Sequence, residues 1–375
     1  MITTLDDYPL HQTPQPLAIP ATSDRNFYDR FWFNGFVGDG SLYFSVAMGF
    51  YPNRRVIDGG FSVVVDGQQF CLHLSGDPPL DRTHTELGPL RIETLVPMRR
   101  HRIVVNCPAR GFEAELLFEA ATGAHEEGRQ ILNDGLHTAM DLTRVTQFGN
   151  WSGWIVVKGK RIEVSAARTN GTRDRSWGVR PCGEPSGRPH RWSSQFYFAW
   201  SQTFWPEYVL HGLFYSDAKG GMLLNSGGSV PRVPSADTPV FARDTHEVAA
   251  TPCGYQFDYA PGSRRIKHAF VRYQRPSGEI LELEYEPVLR FQMAGLGYFN
   301  PEWGHGFWKG DFAIDDETWQ LDDIDMTKPA MFHIQQVCKV TMNGRDTSCG
   351  ILEHAAYGPH EPSGFKELLD VAGAS

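Results

Sequence analysis

The feature that most limits the fold of this 375-residue chain is its long succession of short β-type runs separated by glycine, proline and aspartate. SLYFSVAMGFY (41–51) and GGFSVVVDGQQFCLHL (59–74) are rich in Val, Phe and Tyr and partly alternate with polar residues, as strands of antiparallel sheets do. Helical periodicity is weak, and the best helix candidates are 126–136 and 364–372. Hairpin turns are predicted at Asp66-Gly67, Lys158-Gly159, Pro276-Ser277-Gly278 and Asn343-Gly344. Many strands at this spacing predict an all-β protein.

The β-type runs form two sets, with the proline- and glycine-rich segment RPCGEPSGRPH (180–190) between them. A chain of 375 residues exceeds the usual size of one domain. We therefore predict an N-terminal lead-in over 1–26, a first β-domain over 27–185 and a second β-domain over 186–375.

Charge and hydropathy disfavour several classes of partner. The formal net charge is −9 and the short basic runs lie far apart, which argues against a nucleic-acid partner. The first residues lack the charged and apolar regions of a secretory signal, and no apolar run is long enough to span a bilayer. We therefore expect a soluble, cytoplasmic protein, and we leave open its oligomeric state and any transient membrane contact.

Sequence motifs for cofactors and metals are missing. The six cysteines show no CxxC spacing, and no GxGxxG, Walker, GxSxG or HExxH motif occurs. We therefore predict neither a cofactor nor a metal site. Aromatic residues make up 13% of the chain, and such rings serve sheet cores, apolar cavities and cation binding alike.

The most unusual stretch is RTNGTRDRSWGVRP, which places an aspartate between two arginines with a tryptophan close by. Alternate side chains of an extended strand face opposite sides, so Asp174 is predicted to point away from Arg173, Arg175 and Trp177. Burial favours the protonated form of a carboxyl, whereas a neighbouring arginine favours the ionised form. The stretch therefore predicts either a buried acid where the two domains meet or a group that only forms interdomain salt bridges.

The order of motifs around this stretch resembles that of a known group of proteins. The hairpin QFGNWSGWIVVKGKRIEV is followed by GTRDRSWGVRP and then by FYFAWSQT at the start of the second domain. This order resembles the carotenoid 1,2-hydratase/AttH superfamily of paired lipocalin-like domains, which includes tocopherol cyclases and Diels–Alderase-type proteins. The resemblance covers 27 to about 365, and its specific part is the motif at 171–180.

The resemblance implies an all-β fold of two consecutive lipocalin-like antiparallel β-barrel or half-barrel domains. It also implies hydration, cyclisation or cycloaddition of an isoprenoid-like or polyketide-like substrate without a redox cofactor. Hydratase-like members often have histidine after the motif aspartate, whereas Arg175 follows Asp174 in this chain. A proton relay from aspartate to histidine is therefore not implied here.

Several other residues are candidates for the same cavity. Trp200 and Trp205 could contact a polyene or a carbocation, or belong to the sheet core. His211, within an apolar strand, could act as an acid or base, or be a hydrogen-bonded core residue. Asn34 and Tyr43 could point into the first barrel and contact substrate, or serve only a turn or the core.

The segment YFNPEWGHGFWKGDF combines charged and aromatic residues in a stretch broken by glycine. Glu302 and His305 within it could form an acid/base pair or contact substrate, but no third metal ligand stands at a standard spacing. A loop at the rim of a cavity, without chemistry of its own, explains the same sequence.

Together these observations predict an enzyme that works by cofactor-independent acid catalysis. The expected reaction is the hydration, isomerisation or cyclisation of a hydrophobic, isoprenoid-like small molecule in an apolar cavity, with Asp174 as proton donor. The alternative is a non-catalytic carrier of a lipid or pigment. The predicted catalytic residues are Asp174, Arg173, Arg175 and His211. The predicted substrate-contacting residues are Trp177, Trp200, Trp205, Tyr43, Asn34, Glu302 and His305.

Overall fold

The computed structural model describes residues 2–183, 195–233, 235, 237–240 and 247–373. The strands up to the middle of the chain are β1 (Phe27–Val37), β2 (Tyr43–Tyr51), β3 (Val56–Val65), β4 (Gln68–Gly76), β5 (Glu86–Leu87), β6 (Leu90–Val96), β7 (Arg100–Cys107), β8 (Phe112–Ala120), β9 (His125–Glu126), β10 (Gln130–Asp134), β11 (His137–Val157), β12 (Lys160–Val164) and β13 (Thr169–Val179). The later strands are β14 (Phe196–Phe204), β15 (Tyr208–Ser216), β16 (Met222–Pro231), β17 (Val248–Ala249), β18 (Thr251–Tyr259), β19 (Ile266–Gln274), β20 (Ile280–Gln292), β21 (Phe312–Gln320), β22 (His333–Met342) and β23 (Asp346–Tyr357). Short 3-10 helices lie at Thr4–Asp7, Pro52–Arg54, Pro108–Arg110, Met293–Leu296, Leu321–Asp323, Pro329–Met331 and Glu361–Ser363.

These strands form two antiparallel sheets. The first has 14 strands, in the order β21-β4-β3-β2-β1-β13-β11-β8-β7-β6-β5, with β9, β10 and β12 also paired to the long strand β11. The second has nine strands, in the order β17-β16-β15-β14-β23-β22-β20-β19-β18. One sheet is a half-barrel and the other a nearly closed barrel, which confirms the predicted all-β fold class.

The hairpin turns form at the predicted dipeptides. Asp66 and Gly67 have φ angles of 52° and 74°, and Asn343 and Gly344 have 51° and 69°. Two successive residues in the left-handed region form the type I′ turn, whose twist matches that of the flanking strands. The local turn chemistry therefore fixes the register of β3 with β4 and of β22 with β23.

Both predicted helices were wrong. Within 126–136 the chain instead forms β9 and β10, which both pair with β11, so sheet pairing prevails over local helical propensity there. Over 364–372 the backbone carbonyls that a helix would use internally accept hydrogen bonds from elsewhere. The buried guanidinium of Arg264 donates to the carbonyls of Glu367, Leu368 and Asp370.

The sheets do not divide the sequence at one point, because β21 pairs with β4 and extends the first sheet. The boundary predicted at residues 185 and 186 falls outside the described residues and stays a prediction, as does most of the linker predicted at 180–190. In the part of the chain that the structure describes, no helix has the length and apolar character needed to cross a membrane.

Three buried clusters organise the interior. One lies within the first sheet and another within the second. The third combines side chains of both sheets, among them Trp32 and Phe36 from β1 and Trp200 and Phe204 from β14. This third cluster is the junction, where the two sheets pack face to face, and it contains the residues that follow.

Candidate functional site

The alternation of β13 separates Asp174 from its neighbours in sequence. Asp174 pairs across the ladder with Trp32 on one side and Thr146 on the other, and residues directly opposite each other share a face of the sheet. That face is the junction, where Trp32 packs on Trp200 of the second sheet with ring centroids 5.8 Å apart. The motif that is unusual in sequence therefore projects its carboxyl between the two sheets.

The carboxyl of Asp174 is buried and incompletely paired. The residue is 8% exposed, and its Oδ1 has no hydrogen-bond partner among the described residues. Its Oδ2 lies 3.5 Å from Nε of Arg144 without hydrogen-bond geometry. Burial raises the pKa of Asp174 to about 6, against the opposing charge of Arg144 and with a further increase from Glu127.

Arg144 is held mainly by a second carboxylate. Its Nη1 donates to Oε2 of Glu127 at 3.2 Å, and the hydroxyl of Thr146 donates to Oε1 of the same glutamate at 2.5 Å. The guanidinium also lies over the ring of Trp200, 5.5 Å from its centroid. Because Glu127 takes the directed hydrogen bond of Arg144, Asp174 experiences the positive charge but not a guanidinium clamp.

Further unpaired polar atoms surround this carboxyl. The indole N–H groups of Trp32 and Trp200 are buried without a hydrogen-bond partner in the described part of the chain. The hydroxyl of Tyr215 donates to Oε1 of Gln130, but Nε2 of Gln130 is also unpaired within the described residues. Buried polar groups are normally satisfied, and each exception calls for an explanation such as a catalytic role or a bound water or ion. The junction around Asp174 thus combines aromatic surface with donors free to bind a polar group.

Arg173 and Arg175, which were predicted to be catalytic together with Asp174, do not contact it. Arg173 donates to Oε1 of Gln147 at 2.8 Å inside the first sheet, and burial lowers its pKa to about 10. Arg175 pairs with Asp29 at 2.5 Å on the same side of β13. Trp177 shares that side and is 40% exposed, so it is not a wall of the junction. The physical reason is the two-residue period of the strand.

The other predicted aromatic and histidine residues separate into two groups. Trp200 lies in the junction, whereas Trp205 is buried in the cluster within the second sheet. His211 is buried in the junction, with its ring centroid 4.3 Å from that of His125. Burial lowers the pKa of His211.

Asn34 and Tyr43 face the second sheet rather than the interior of the first barrel. The Asn34 amide and the Tyr43 hydroxyl both donate to Oε1 of Gln335, at 3.2 and 2.5 Å. The Tyr43 ring stacks on Phe291 with centroids 4.6 Å apart. These hydrogen bonds join the first sheet to the second. Asn34 lies two residues along β1 from Trp32, the residue opposite Asp174.

Glu302 and His305 do not form the predicted acid/base pair. The Glu302 side chain is 77% exposed and pairs with Lys309 at 3.3 Å. His305 is buried, with Nε2 at 2.8 Å from the carbonyl of Leu296 and Nδ1 at 3.2 Å from Arg180. Burial and the charges of two arginines hold its pKa well below the usual range.

The prediction missed Arg144 and Glu127, the nearest charged neighbours of Asp174. Arg144 lies in the run DLTRVTQFG, where Arg144, Thr146 and Phe148 alternate onto one face. That alternation is visible in sequence, but its pairing with β13 is not, because it depends on long-range register. A charged residue at an inward position of such a strand is the signal that could have found it.

The comparisons with known proteins agree with this architecture. The model of a family of unknown function, DUF8625, matches residues 2–366. The chain belongs to this family. The comparison with curated proteins found no match. Because the family has no described function, the site geometry has to carry the functional argument for this DUF8625 member.

Solved structures with the same fold confirm the predicted resemblance at the level of architecture. A protein provisionally called AttH, from Nitrosomonas europaea, has a TM-score of 0.54 at 12% identity, covering 88% of this chain and 92% of that chain. Kievitone hydratase from Nectria haematococca has a TM-score of 0.52 at 12% identity, covering 88% of this chain and 89% of that chain. At this identity the likeness establishes the fold of the DUF8625 chain and not its chemistry.

Two cavities of the DUF8625 chain lie away from Asp174. One, of about 10 Å³, is lined by Asp58, His73 and His305 and has room for one water molecule. An open groove of about 440 Å³ is lined by Thr251, Cys253 and other residues of the second sheet. Neither of these two borders Asp174, and beside Asp174 the rings of Trp32 and Trp200 pack against each other.

Proposed function

We propose that this chain is an enzyme that protonates a carbon–carbon double bond of a small molecule, with Asp174 as the proton donor. The observation that carries the proposal is a buried carboxyl with one unpaired oxygen and a pKa raised to about 6. At pH 7 such a group is about one-tenth protonated, against about one-thousandth for an ordinary aspartate. It can therefore donate a proton near neutral pH, as a general acid must.

The proposed reaction begins with transfer of the Asp174 proton to one carbon of the double bond. The π electrons form the new C–H bond, and the other carbon becomes a cation. Trp32 and Trp200 are the aromatic faces that would stabilise this cation. Water then adds and returns a proton to Asp174, giving an alcohol. Alternatively, the cation loses a proton from a neighbouring carbon to Asp174, giving an isomer, or a hydroxyl of the substrate closes a ring on the cation and gives its proton to Asp174, giving a cyclic product. In each case the carboxyl ends as it began.

The junction supports a substrate that is less purely hydrophobic than the sequence predicts. An unsaturated or aromatic body suits the two indole rings, and hydroxyl or carbonyl groups suit the unpaired N–H groups of Gln130 and Trp200. Trp32 or Trp200 must turn aside for such a molecule to reach Asp174, because their rings are in contact. Kievitone hydratase, which shares the fold, is named for water addition, and this supports hydration as the first reaction to test.

The test begins with the molecule that the protein itself selects. Native mass spectrometry of the purified chain, followed by extraction, identifies bound small molecules. Incubation in D₂O then shows whether the molecule gains one water, or changes without a mass increase beyond deuterium uptake at carbon. We expect Asp174→Asn to lower the rate about 10²- to 10⁴-fold, the usual contribution of a general acid.

The matched control is Asp29→Asn, the same change on the neighbouring strand β1 but on the opposite face, where Asp29 pairs with Arg175. It should leave turnover within about twofold of the parent, because surface ion pairs contribute little. Full turnover by Asp174→Asn would remove the proposal. Retention of an unchanged ligand by the parent and by Asp174→Asn alike would instead establish the carrier alternative.

A further inference from the structure

Three side chains with metal-ligating atoms meet at the edge of the junction, and they come from both sheets. His125 lies on β9 of the first sheet, His211 on β15 of the second, and Glu247 immediately before β17 of the second. Nδ1 of His125 is 2.5 Å from Oε2 of Glu247, and Nε2 of His211 is 3.5 Å from Oε1 of the same carboxylate. One ligand atom from each residue lies within 4.8 Å of the others.

One of the two imidazoles at this position, that of His211, is unusual in its hydrogen bonding. His211 is buried between His125 and Phe148, and neither of its nitrogens has a hydrogen-bond partner among the described residues. His125 has one bonded nitrogen, Nδ1, and one without a described partner, Nε2. A histidine that only fills a core normally donates one N–H to a carbonyl, as His354 does to the carbonyl of Arg264. The two unpaired nitrogens of the buried His211 are an independent indication of a ligand.

The backbone also makes room for the carboxylate. Gly228 pairs with His211 across the ladder and with Ala249 on its other side. A Cβ atom at Gly228 would lie 2.0 Å from Oε1 of Glu247. Any other residue there would displace the carboxylate from the two imidazoles. The close approach of Glu247 to His211 therefore depends on this glycine.

We propose that His125, His211 and Glu247 bind a divalent transition-metal ion, with Zn²⁺ the first candidate. Two imidazoles and one carboxylate are a known ligand set for Zn²⁺ with a fourth position left open for water, whereas Ca²⁺ and Mg²⁺ prefer oxygen ligands throughout. Ligands at about 2.1 Å in tetrahedral geometry lie roughly 3.4 Å apart. The longest separation that the 4.8 Å limit allows would close by about 1.4 Å, and the 2.5 Å contact between His125 and Glu247 would open by about 0.9 Å to admit the ion.

The site joins the sheets, since one ligand belongs to the first and two to the second. Binding to the folded chain alone stabilises it by mass action, so the thermal midpoint rises with the concentration of free metal. The proposal is independent of the acid proposed above. Asp174 is not one of the ligands, and a failure of either proposal leaves the other standing.

The test uses the full chain, stripped with a chelator, and Zn²⁺ alone as probe. We expect one Zn²⁺ per chain by elemental analysis, a rise in the thermal midpoint on adding Zn²⁺, and visible d–d absorption after replacement by Co²⁺. His125→Ala and Glu247→Gln should each weaken Zn²⁺ binding by about 100-fold or more, since loss of even an outer-shell partner costs 10- to 100-fold. Circular dichroism of each variant shows whether it is folded.

Two further variants separate metal binding from a simple histidine–carboxylate pair. Gly228→Ala keeps all three ligands but moves Glu247, and it should weaken Zn²⁺ binding about tenfold or more. His268→Ala is the matched control, because His268 lies between Glu284 and Asp258, at 2.8 and 3.7 Å, without a second imidazole. It should leave Zn²⁺ binding unchanged. Less than one-tenth of a Zn²⁺ per folded parent chain at saturation, or equal weakening in His268→Ala, would overturn the proposal.

Discussion

Asp58 and Asp174 are two buried aspartates on the same face of the first sheet, and they are paired very differently. Both carboxyls have a pKa raised mainly by burial and opposed by a nearby arginine. Asp58 accepts from Nη1 of Arg30 at 3.3 Å and from the backbone N–H of Gly306 at 2.8 Å. Asp174 accepts no hydrogen bond that the structure describes at Oδ1, and its arginine is engaged elsewhere.

The difference teaches which of the two groups is available for chemistry. Asp58 uses one oxygen on Arg30 and the other on Gly306, so it ties β3 to β1 and to the loop after the Met293–Leu296 helix. Breaking these contacts leaves a buried guanidinium and a buried N–H without partners. Asp174 makes no comparable hydrogen bond to an arginine or a backbone N–H among the described residues. Burial of both residues is equal within a percentage point, 9% and 8%, so hydrogen bonding and not depth distinguishes Asp58 from Asp174, the proposed proton donor.

The largest expected effect comes from making the same substitution at both positions. Asp58→Asn should lower the free energy of unfolding by about 3–5 kcal/mol, because Arg30 loses its buried counter-charge. Asp174→Asn should cause no loss at pH 7, because Arg144 keeps its bond to Glu127. Urea unfolding followed by tryptophan fluorescence measures both. Equal destabilisation by the two variants would show that Asp174 is a structural partner as well.

A smaller effect is expected in the pH dependence of stability. Asp174 binds its proton more tightly in the folded chain, where its pKa is about 6, than in the unfolded chain, where it is near 3.8. The contribution of Asp174 to the free energy of unfolding is therefore fully present below about pH 3.8 and is lost as the pH rises through about 6. At about 1.4 kcal/mol for each pH unit between the two values, the loss amounts to about 3 kcal/mol.

The measurement is the difference in unfolding free energy between the parent and Asp174→Asn at pH values from 4 to 8. Taking this difference cancels the contribution of Asp58 to the pH dependence, because its pKa is raised in both proteins. We expect the parent to lose stability relative to the variant as the pH rises. Parallel curves would show that the carboxyl of Asp174 has an ordinary pKa. Asp174 would then have no advantage over Asp58 as a proton donor.

The parts of this site that follow local rules could be predicted from the sequence. The two-residue period of a strand placed Asp174 opposite Arg173 and Arg175, and Asp-Gly and Asn-Gly dipeptides marked turns that the structure confirms. The parts that depend on strand register could not. Arg144 reaches Asp174 only because β11 pairs with β13, and nothing in either segment alone specifies that pairing.

In the wrong helix at 126–136 and in the divergent loop, contacts with distant parts of the chain prevail over the local sequence. The segment 126–136 has too few local signals to resist pairing with β11, which adds it to the edge of the sheet. In the loop, Glu302 and His305 are close in sequence, but His305 is drawn inward by Leu296 and Arg180 while Glu302 stays in solvent. Proximity in sequence predicts contact in a helix far better than in a loop broken by glycine.

The smallest expected effect tests the separation of the two faces of β13. Arg175→Met removes the ion pair with Asp29, whose two side chains are 26% and 29% exposed, and keeps an unbranched chain over the ring of Phe31. Such partly exposed pairs contribute at most about 1 kcal/mol, so the unfolding free energy should fall by no more than that. The parent-minus-Asp174→Asn pH curve, measured again in the Arg175→Met background, should keep its shape, because Arg175 faces away from Asp174. A displaced curve would mean that the charge of Arg175 reaches Asp174 through the strand. The carboxyl would then be tuned by its sequence neighbours as well as by Arg144 and Glu127.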